Sequence, residues 1–317
     1  MKSTMKNPVI DVKPGTFING KWHHHTYQIV KKLGHGACGT VYLACTQSQY
    51  VALKISHQQA SITTEVNVLK ALNQVQGARL GPSLMDVDDW QTSTGETLSF
   101  YVMEYLKGYE LNAFISRKGE EWLGILALQL LDDLDALHQA GWVFGDLKPE
   151  NLIVIASPPR LRWIDVGGTT RIGRAIKEYT EFYDRGYWGL GSRKAEPGYD
   201  LFALAMVMLQ VYYPGRFEKG ADPVKTLKEK LHQQQMLQKY SPCIERALFG
   251  KYKSSKEMKQ DLLNHLTTKP KNHGKSVQKR AQPGKHSSPD HYRMLESLGI
   301  GLVLLLFSFV FFIFQSL

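Results

Sequence analysis

Residues His138–Ile155 read HQAGWVFGDLKPENLIVI, and residues 163–168 follow as WIDVGG. The first stretch leaves a long amphipathic helix, predicted over Trp122–His138, and runs into an apolar strand. Between helix and strand stand Asp146, Lys148 and Asn151; Asp165 comes after the strand. Upstream, Tyr27–Val30 has strand character and leads into LGHGACGTV, residues 33–41. Gly34, Gly36 and Gly39 there have GxGxxG spacing, with Leu33 before them and Val41 after. Glycines let backbone amides come within hydrogen-bonding distance of phosphates, where a Cβ would intrude. A dinucleotide-binding glycine turn opens a helix, whereas this one runs into β-branched and aromatic residues.

Next comes Val51-Ala52-Leu53-Lys54, a short apolar run ending in lysine. Residues 62–72 (ITTEVNVLKAL) read as a helix, with Ile62, Val66 and Leu69 on one stripe and Glu65 beside it. FYVMEYLKG, residues 100–108, reads as a buried strand running out to glycine.

Taken in order, these motifs resemble the eukaryotic-type (Hanks-type) Ser/Thr protein kinases over residues 27 to 266. The resemblance implies an α+β, bilobal kinase fold with a β-rich N-lobe and a helical C-lobe, and ATP and Mg²⁺ as cofactors. It also implies roles residue by residue. Leu33, Gly34, Gly36, Gly39, Val41 and Ala52 would enclose the nucleotide. Lys54 would hold the α- and β-phosphates and pair with Glu65 on the following helix. Met103 would be the gatekeeper, with the backbone of Glu104 and Leu106 hydrogen-bonding adenine. Asp146 would accept the substrate hydroxyl proton, and Lys148 would neutralise charge on the transferring phosphoryl group. Asn151 and Asp165 supply the hard oxygen ligands that Mg²⁺ takes. Tyrosine kinases usually carry alanine where Lys148 stands, so protein Ser/Thr hydroxyls are the expected acceptors. Asp200, opening DLFALAMVM, matches the aspartate that anchors the catalytic-loop backbone.

Three departures from the family pattern stand out. Phe144-Gly145 replaces the usual His-Arg, whose arginine commonly grips a phosphorylated activation-loop residue, so switching by that contact is not expected. The magnesium motif is DVG instead of DFG. Residues 167–197 contain no clear Ala-Pro-Glu; Ala195-Glu196-Pro197 looks like a scrambled copy, unusually close to Asp200. Thr180–Tyr183 is then the candidate substrate-facing part, and Thr169, Thr170, Thr180 and Ser192 are candidate autophosphorylation sites. With the C-terminal segment described next, these features look closest to the short, membrane-tethered bacterial YabT-type kinases. Two rival readings are a membrane-tethered pseudokinase scaffold and a small-molecule kinase of the aminoglycoside-phosphotransferase type. A scaffold would not require Lys54, Asp146, Asn151 and Asp165 together, and the usual loop of the small-molecule enzymes lacks the Lys-Pro-Glu-Asn run.

The chain has 317 residues, 43% hydrophobic, and a formal net charge of +10. That composition excludes disordered and collagen-like chains. Cys38, Cys45 and Cys243 are too few and too scattered for a disulfide framework, which suits a reducing compartment. Cys38, in the glycine loop, is weighed as a redox brake against a small tolerated residue. His23-His24-His25 reads as surface strand, because neighbouring side chains alternate faces and no carboxylate or cysteine cluster accompanies them in sequence.

About +6 of the net charge lies in Thr268–Arg293, which has one Val as its only branched aliphatic residue. Such a stretch buries too little to offset its ordering entropy and is predicted to be a disordered linker. Residues 298–314 (LGIGLVLLLFSFVFFIF) carry no charge and would measure about 26 Å as a helix, enough for a membrane span. Basic residues upstream put the larger part on the cytoplasmic side, and no signal-type apolar core occurs near the N-terminus. The expected organisation is an N-terminal extension (1–26), a kinase domain (27–266), a basic linker (267–293) and a tail anchor (294–317) in the cell membrane. No extracellular sensor domain is expected. The linker suits anionic lipid, at about 1 kcal/mol per basic residue near the surface. Nucleic acid is the alternative, with steep salt dependence and a route to self-association and trans-autophosphorylation.

Overall fold

The computed structural model describes residues 10–36, 38–74 and 80–267. The basic linker from Thr268 onward and the apolar stretch 298–314 lie outside the described residues. Among the described residues, no helix is long and apolar enough to cross a membrane.

The N-lobe is a six-stranded sheet of β1 (Phe17–Asn19), β2 (Thr26–Gly36), β3 (Gly39–Cys45), β4 (Tyr50–Ser56), β5 (Leu84–Gln91) and β6 (Thr97–Glu104). Its order is β1-β2-β3-β4-β6-β5, every neighbouring pair antiparallel. The two-residue period of a strand sorts the side chains between two cores. Leu53, Ile55, Phe100 and Val102 face one core with Ile18, Ile29 and Tyr42. Ala52, Tyr101 and Met103 face the other, which continues into the C-lobe. Because β4 and β6 are covered on both faces, they read as near-continuous apolar runs. Helix α1 (Gln59–Asn73) covers the second face with Ile62, Val66, Leu69 and Leu72, and buries Glu65 among them.

Residues 10–26, set apart from the kinase domain as an extension, supply β1 and three buried side chains, Ile10, Val12 and Ile18. Tyr42 fastens this segment: its hydroxyl donates to the Ile10 carbonyl at 2.6 Å and accepts from the Val12 amide at 2.9 Å. The segment seals a sheet face that would otherwise expose apolar side chains to water.

The C-lobe contains α2 (Leu111–Lys118), α3 (Glu121–Gln139), α4 (Pro197–Gln210), α5 (Pro223–Gln233), α6 (Ser241–Leu248) and α7 (Ser255–Thr267). Helix α3 shows the predicted amphipathic stripe, with Leu123, Leu126, Leu130, Leu134 and Leu137 buried. Helix α4 is buried on all sides from Tyr199 to Gln210, as expected of a central helix that is apolar all round. Two short antiparallel pairs frame the functional loops. β7 (Trp142–Val143) pairs with β10 (Thr170–Arg171), and β8 (Leu152–Ala156) pairs with β9 (Pro159–Trp163). Residues 144–151 are thereby held between β7 and β8, and Asp165 emerges just beyond β9.

Candidate active site

Asp200, wholly buried in the first turn of α4, anchors the loop that carries Asp146. Its carboxylate accepts the Phe144 amide at 2.8 Å and the Gly145 amide at 2.9 Å. His138 Nε2 lies 2.9 Å from the same carboxylate, and His138 Nδ1 lies 3.0 Å from the Ser255 hydroxyl. The loop is therefore tied to α3, α4 and α7 at once. The replacement of the family's arginine by Gly145 has a steric cause. Gly145 has φ +82°, and a Cβ there would stand 2.5 Å from the Gly168 carbonyl oxygen. The second glycine of the DVGG run answers it: a Cβ on Gly168 would stand 2.7 Å from Asp146 Cβ. The two loops touch backbone to backbone, leaving no room for side chains.

Asp146 sits in a polar knot. Lys148 Nζ donates to Asp146 Oδ2 at 2.5 Å and to the Thr180 hydroxyl at 3.1 Å, and Thr180 donates to Asp146 Oδ1 at 3.2 Å. Asn151 Nδ2 donates to the Asp146 carbonyl at 2.8 Å, which fixes the amide and leaves its Oδ1 as the ligand-type atom. Thr180 thus bonds both Asp146 and Lys148. Of the other candidate phosphorylation sites, Thr169 is buried, Thr170 donates to the Gly168 carbonyl at 2.9 Å, and Ser192 is exposed.

Lys54 Nζ lies 2.6 Å from Glu65 Oε2 and 3.8 Å from Asp165 Oδ1, so the strand lysine, the helix carboxylate and the DVG carboxylate meet. Burial alone would lower the Lys54 pKa, but Asp165 and Glu65 more than offset it and hold the ammonium charged. Burial pushes the Glu65 carboxyl up, against the pull of Lys54. Tyr101, buried on β6, donates to Glu65 Oε2 at 2.8 Å. Sequence reading missed Tyr101; its place two residues before Met103, on the same strand face, was the available signal. It also missed Arg162 on β9. That buried guanidinium donates to the Gly81 carbonyl at 2.8 Å and lies 3.2 Å from Glu104 Oε2, joining the C-lobe to the segment between the lobes.

The cleft residues fit an adenine nucleotide. Gly39 is required by the fold itself, because a Cβ there would stand 2.3 Å from the Ile55 carbonyl oxygen. At Gly34 and Gly36 a Cβ would meet nothing within 4 Å, so protein packing does not demand glycine at either position. Open backbone at these two sites suits close approach by phosphate. Val41 pairs with Gly34 across the β2–β3 hairpin, Ala52 pairs with Met103, and Leu33 is exposed on β2. The Glu104 amide donates to the Ser83 carbonyl at 2.9 Å. The Leu106 amide has no partner among the described residues. Oxygen donors from Asn151 and Asp165 form the donor set that a hard divalent cation takes.

The surroundings of Cys38 disfavour its thiolate. Burial, with Glu178 as a lesser contributor, pushes its thiol up to about 11, and Sγ lies 3.0 Å from Glu178 Oε1. Further along, α4 starts at Pro197, directly after the Ala195-Glu196 pair, which explains the short spacing to Asp200. Glu196 pairs with Arg185 at 2.6 Å, and Asp184 is fully buried. Its carboxylate accepts the Gly186 and Tyr187 amides, the Tyr199 hydroxyl and Arg193 Nε, all within 3.0 Å. Ion pairs and amide bonds between its own residues hold this segment.

The Protein kinase domain family model matches residues 27–281. The chain is 50% identical over 288 residues to serine/threonine-protein kinase YabT of Bacillus subtilis, covering 90% of this chain and 83% of that one. Serine/threonine-protein kinase PknG of Mycobacterium leprae is 26% identical over 51% of this chain, which spans 22% of that relative's length. Among solved structures, vaccinia related kinase 3 superposes with a TM-score of 0.60 at 18% identity, covering 83% of this chain and 93% of that one, a likeness of fold. The chain belongs to the protein kinase family and is a bacterial Hanks-type serine/threonine protein kinase close to YabT.

Proposed function

We propose that the chain transfers the γ-phosphate of ATP to protein Ser or Thr hydroxyls in a Mg²⁺-dependent reaction. The observation that carries this reading is the assembly of Lys54, Glu65 and Asp165 opposite the Asp146–Lys148–Thr180 knot. Asp146 holds an acceptor hydroxyl for in-line attack and takes its proton, and Lys148 stands beside the group in transit. Thr180, bonded to both, keeps their spacing. Lys54, held charged by Asp165 and Glu65, would steady the α- and β-phosphates, and Asn151 and Asp165 would hold the metal. Mg²⁺, when bound, neutralises charge on the phosphates. Because phosphoryl transfer has a loose transition state, positioning and charge supply most of the rate. The test is transfer of labelled γ-phosphate to a general protein acceptor, with and without EDTA, followed by phosphoamino-acid analysis. Phosphoserine and phosphothreonine, lost with EDTA, are expected; phosphotyrosine alone or EDTA-resistant transfer would contradict the reading.

Residues 298–314 are proposed to place the enzyme in the cell membrane as a single span, with the catalytic domain on the cytoplasmic side. Beside that span, the basic linker faces anionic lipid first. Flotation of the full chain with phosphatidylserine vesicles, against competing DNA across a salt series, separates lipid contact from nucleic-acid contact.

A further inference from the structure

The two edge strands of the N-lobe sheet, β1 and β5, come together through the six-residue connection between β1 and β2. The Lys21 amide donates to the Asp89 carbonyl at 2.8 Å, and the Trp22 and His23 amides donate to Asp88 at 2.9 and 2.8 Å. Along this seam, His23, His25 and Tyr27 alternate onto one side, toward Asp86 of β5. His23 Nδ1 lies 2.6 Å from Asp86 Oδ1, and His25 Nδ1 lies 2.9 Å from Asp86 Oδ2. The carboxylate that the triple-histidine stretch lacks in its own sequence neighbourhood is supplied from β5.

We propose that His23, His25 and Asp86 form a binding site for a divalent transition-metal ion, zinc foremost, that staples the seam between β1 and β5. Their three donor atoms lie within 4.8 Å of one another. Tetrahedral zinc with bonds near 2.0–2.1 Å needs donors about 3.3 Å apart, a small opening from the present contacts. Two imidazoles and one carboxylate make a nitrogen-rich set that favours zinc or copper over magnesium or calcium. The carboxylate is fixed from behind: Tyr27 donates to Oδ2 at 2.6 Å and the Val87 amide to Oδ1 at 2.8 Å. Such outer partners orient ligands in built metal sites. Asp86 is 6% exposed while His23 and His25 are 54% and 65% exposed, so an ion has a rigid floor and an open entry. The site is made of groups that the phosphotransfer machinery does not use.

The test uses the full chain in detergent, freed of metal by chelation and dialysed against Zn²⁺ without nucleotide or Mg²⁺. One zinc ion per chain should bind and raise the thermal midpoint, since a ligand that binds only the folded state stabilises it. The His23→Ala/His25→Ala double variant should bind that ion at least about tenfold more weakly and lose the thermal shift. His24→Ala should keep both. The replaced side chains are exposed, so the metal-free double variant should melt close to the metal-free parent. Absence of zinc binding by the parent, or equal binding and equal thermal shift in the double variant, would overturn the proposal and leave a hydrogen-bonded His–Asp cluster only.

Discussion

Replacing Gly145 by alanine tests the steric reading of the catalytic loop. A non-glycine residue held at φ +82° costs about 1–2 kcal/mol in backbone strain. The added Cβ would also stand 2.5 Å from the Gly168 carbonyl oxygen and 3.2 Å from Ile176 Cδ1. Relieving that overlap means moving one of two backbones that pack directly, at roughly another 1–3 kcal/mol. The total, about 2–5 kcal/mol, corresponds to a fall of roughly 5–15 °C in the thermal midpoint of a domain this size. Gly15→Ala is the control, because Gly15 has φ +85° with nothing within 4 Å of a built Cβ. It should show the backbone cost alone. Thermal unfolding and phosphotransfer are measured on the same preparations, and Gly145→Ala should lose activity as Asp146 shifts. Gly145→Arg, which restores the arginine usual in the family, should do no better, since the space for it does not exist. Equal stability of the two alanine variants, or an active Gly145→Arg enzyme, would refute the reasoning.

Thr180→Val removes the hydroxyl that bridges Asp146 and Lys148 and should lower kcat roughly 10- to 100-fold, with the KM for ATP nearly unchanged; steady-state kinetics read both. Burial pushes the Asp133 carboxyl up to about 6 from its ordinary 3.8, against the opposing Arg160. The folded chain then holds that proton more tightly than the unfolded one. Stability from this group is complete below 3.8 and is lost as pH rises through about 6. Asp133→Asn cannot lose it, so the variant should gain on the parent as pH climbs through that window and hold a level difference above it. Denaturant melts across pH check this, and a constant difference would contradict it. Cys38→Ser should keep near-parental activity, and mild oxidant should inhibit the two proteins equally.

Much of the candidate site's layout was legible because the chemistry it would perform forces charged groups into short, fixed spacings. Asp146, Lys148 and Asn151 share one loop, and Lys54 follows an apolar run within a strand that must be buried. What escaped reading depends on contacts across long sequence separations. Tyr101 reaches Glu65 from 36 residues away, and Arg162 reaches Gly81 from 81 residues away. Position alone hints at Tyr101, two residues before Met103 on the same strand face, and nothing local marks Arg162 as more than a surface arginine. The same holds for His23 and His25, which had no acidic neighbours in sequence until the curling sheet brought Asp86 to them. The boundary before Tyr27 followed the first motif; among the described residues, Ile10, Val12 and Ile18 ahead of it also pack into the N-lobe core. The glycine at position 145 looked like a lost switch in the sequence; with the Gly168 carbonyl beside it, it is a packing requirement.

The most direct test of the account is γ-phosphate transfer by the parent and by Asp146→Asn, measured under saturating ATP and Mg²⁺ on equal amounts of folded protein. If Asp146 takes the acceptor proton and fixes its oxygen as proposed, the amide should reduce the rate by at least about 10²-fold while the thermal midpoint stays close to the parent's. Equal rates in the two proteins would contradict the assignment of Asp146 as the catalytic base.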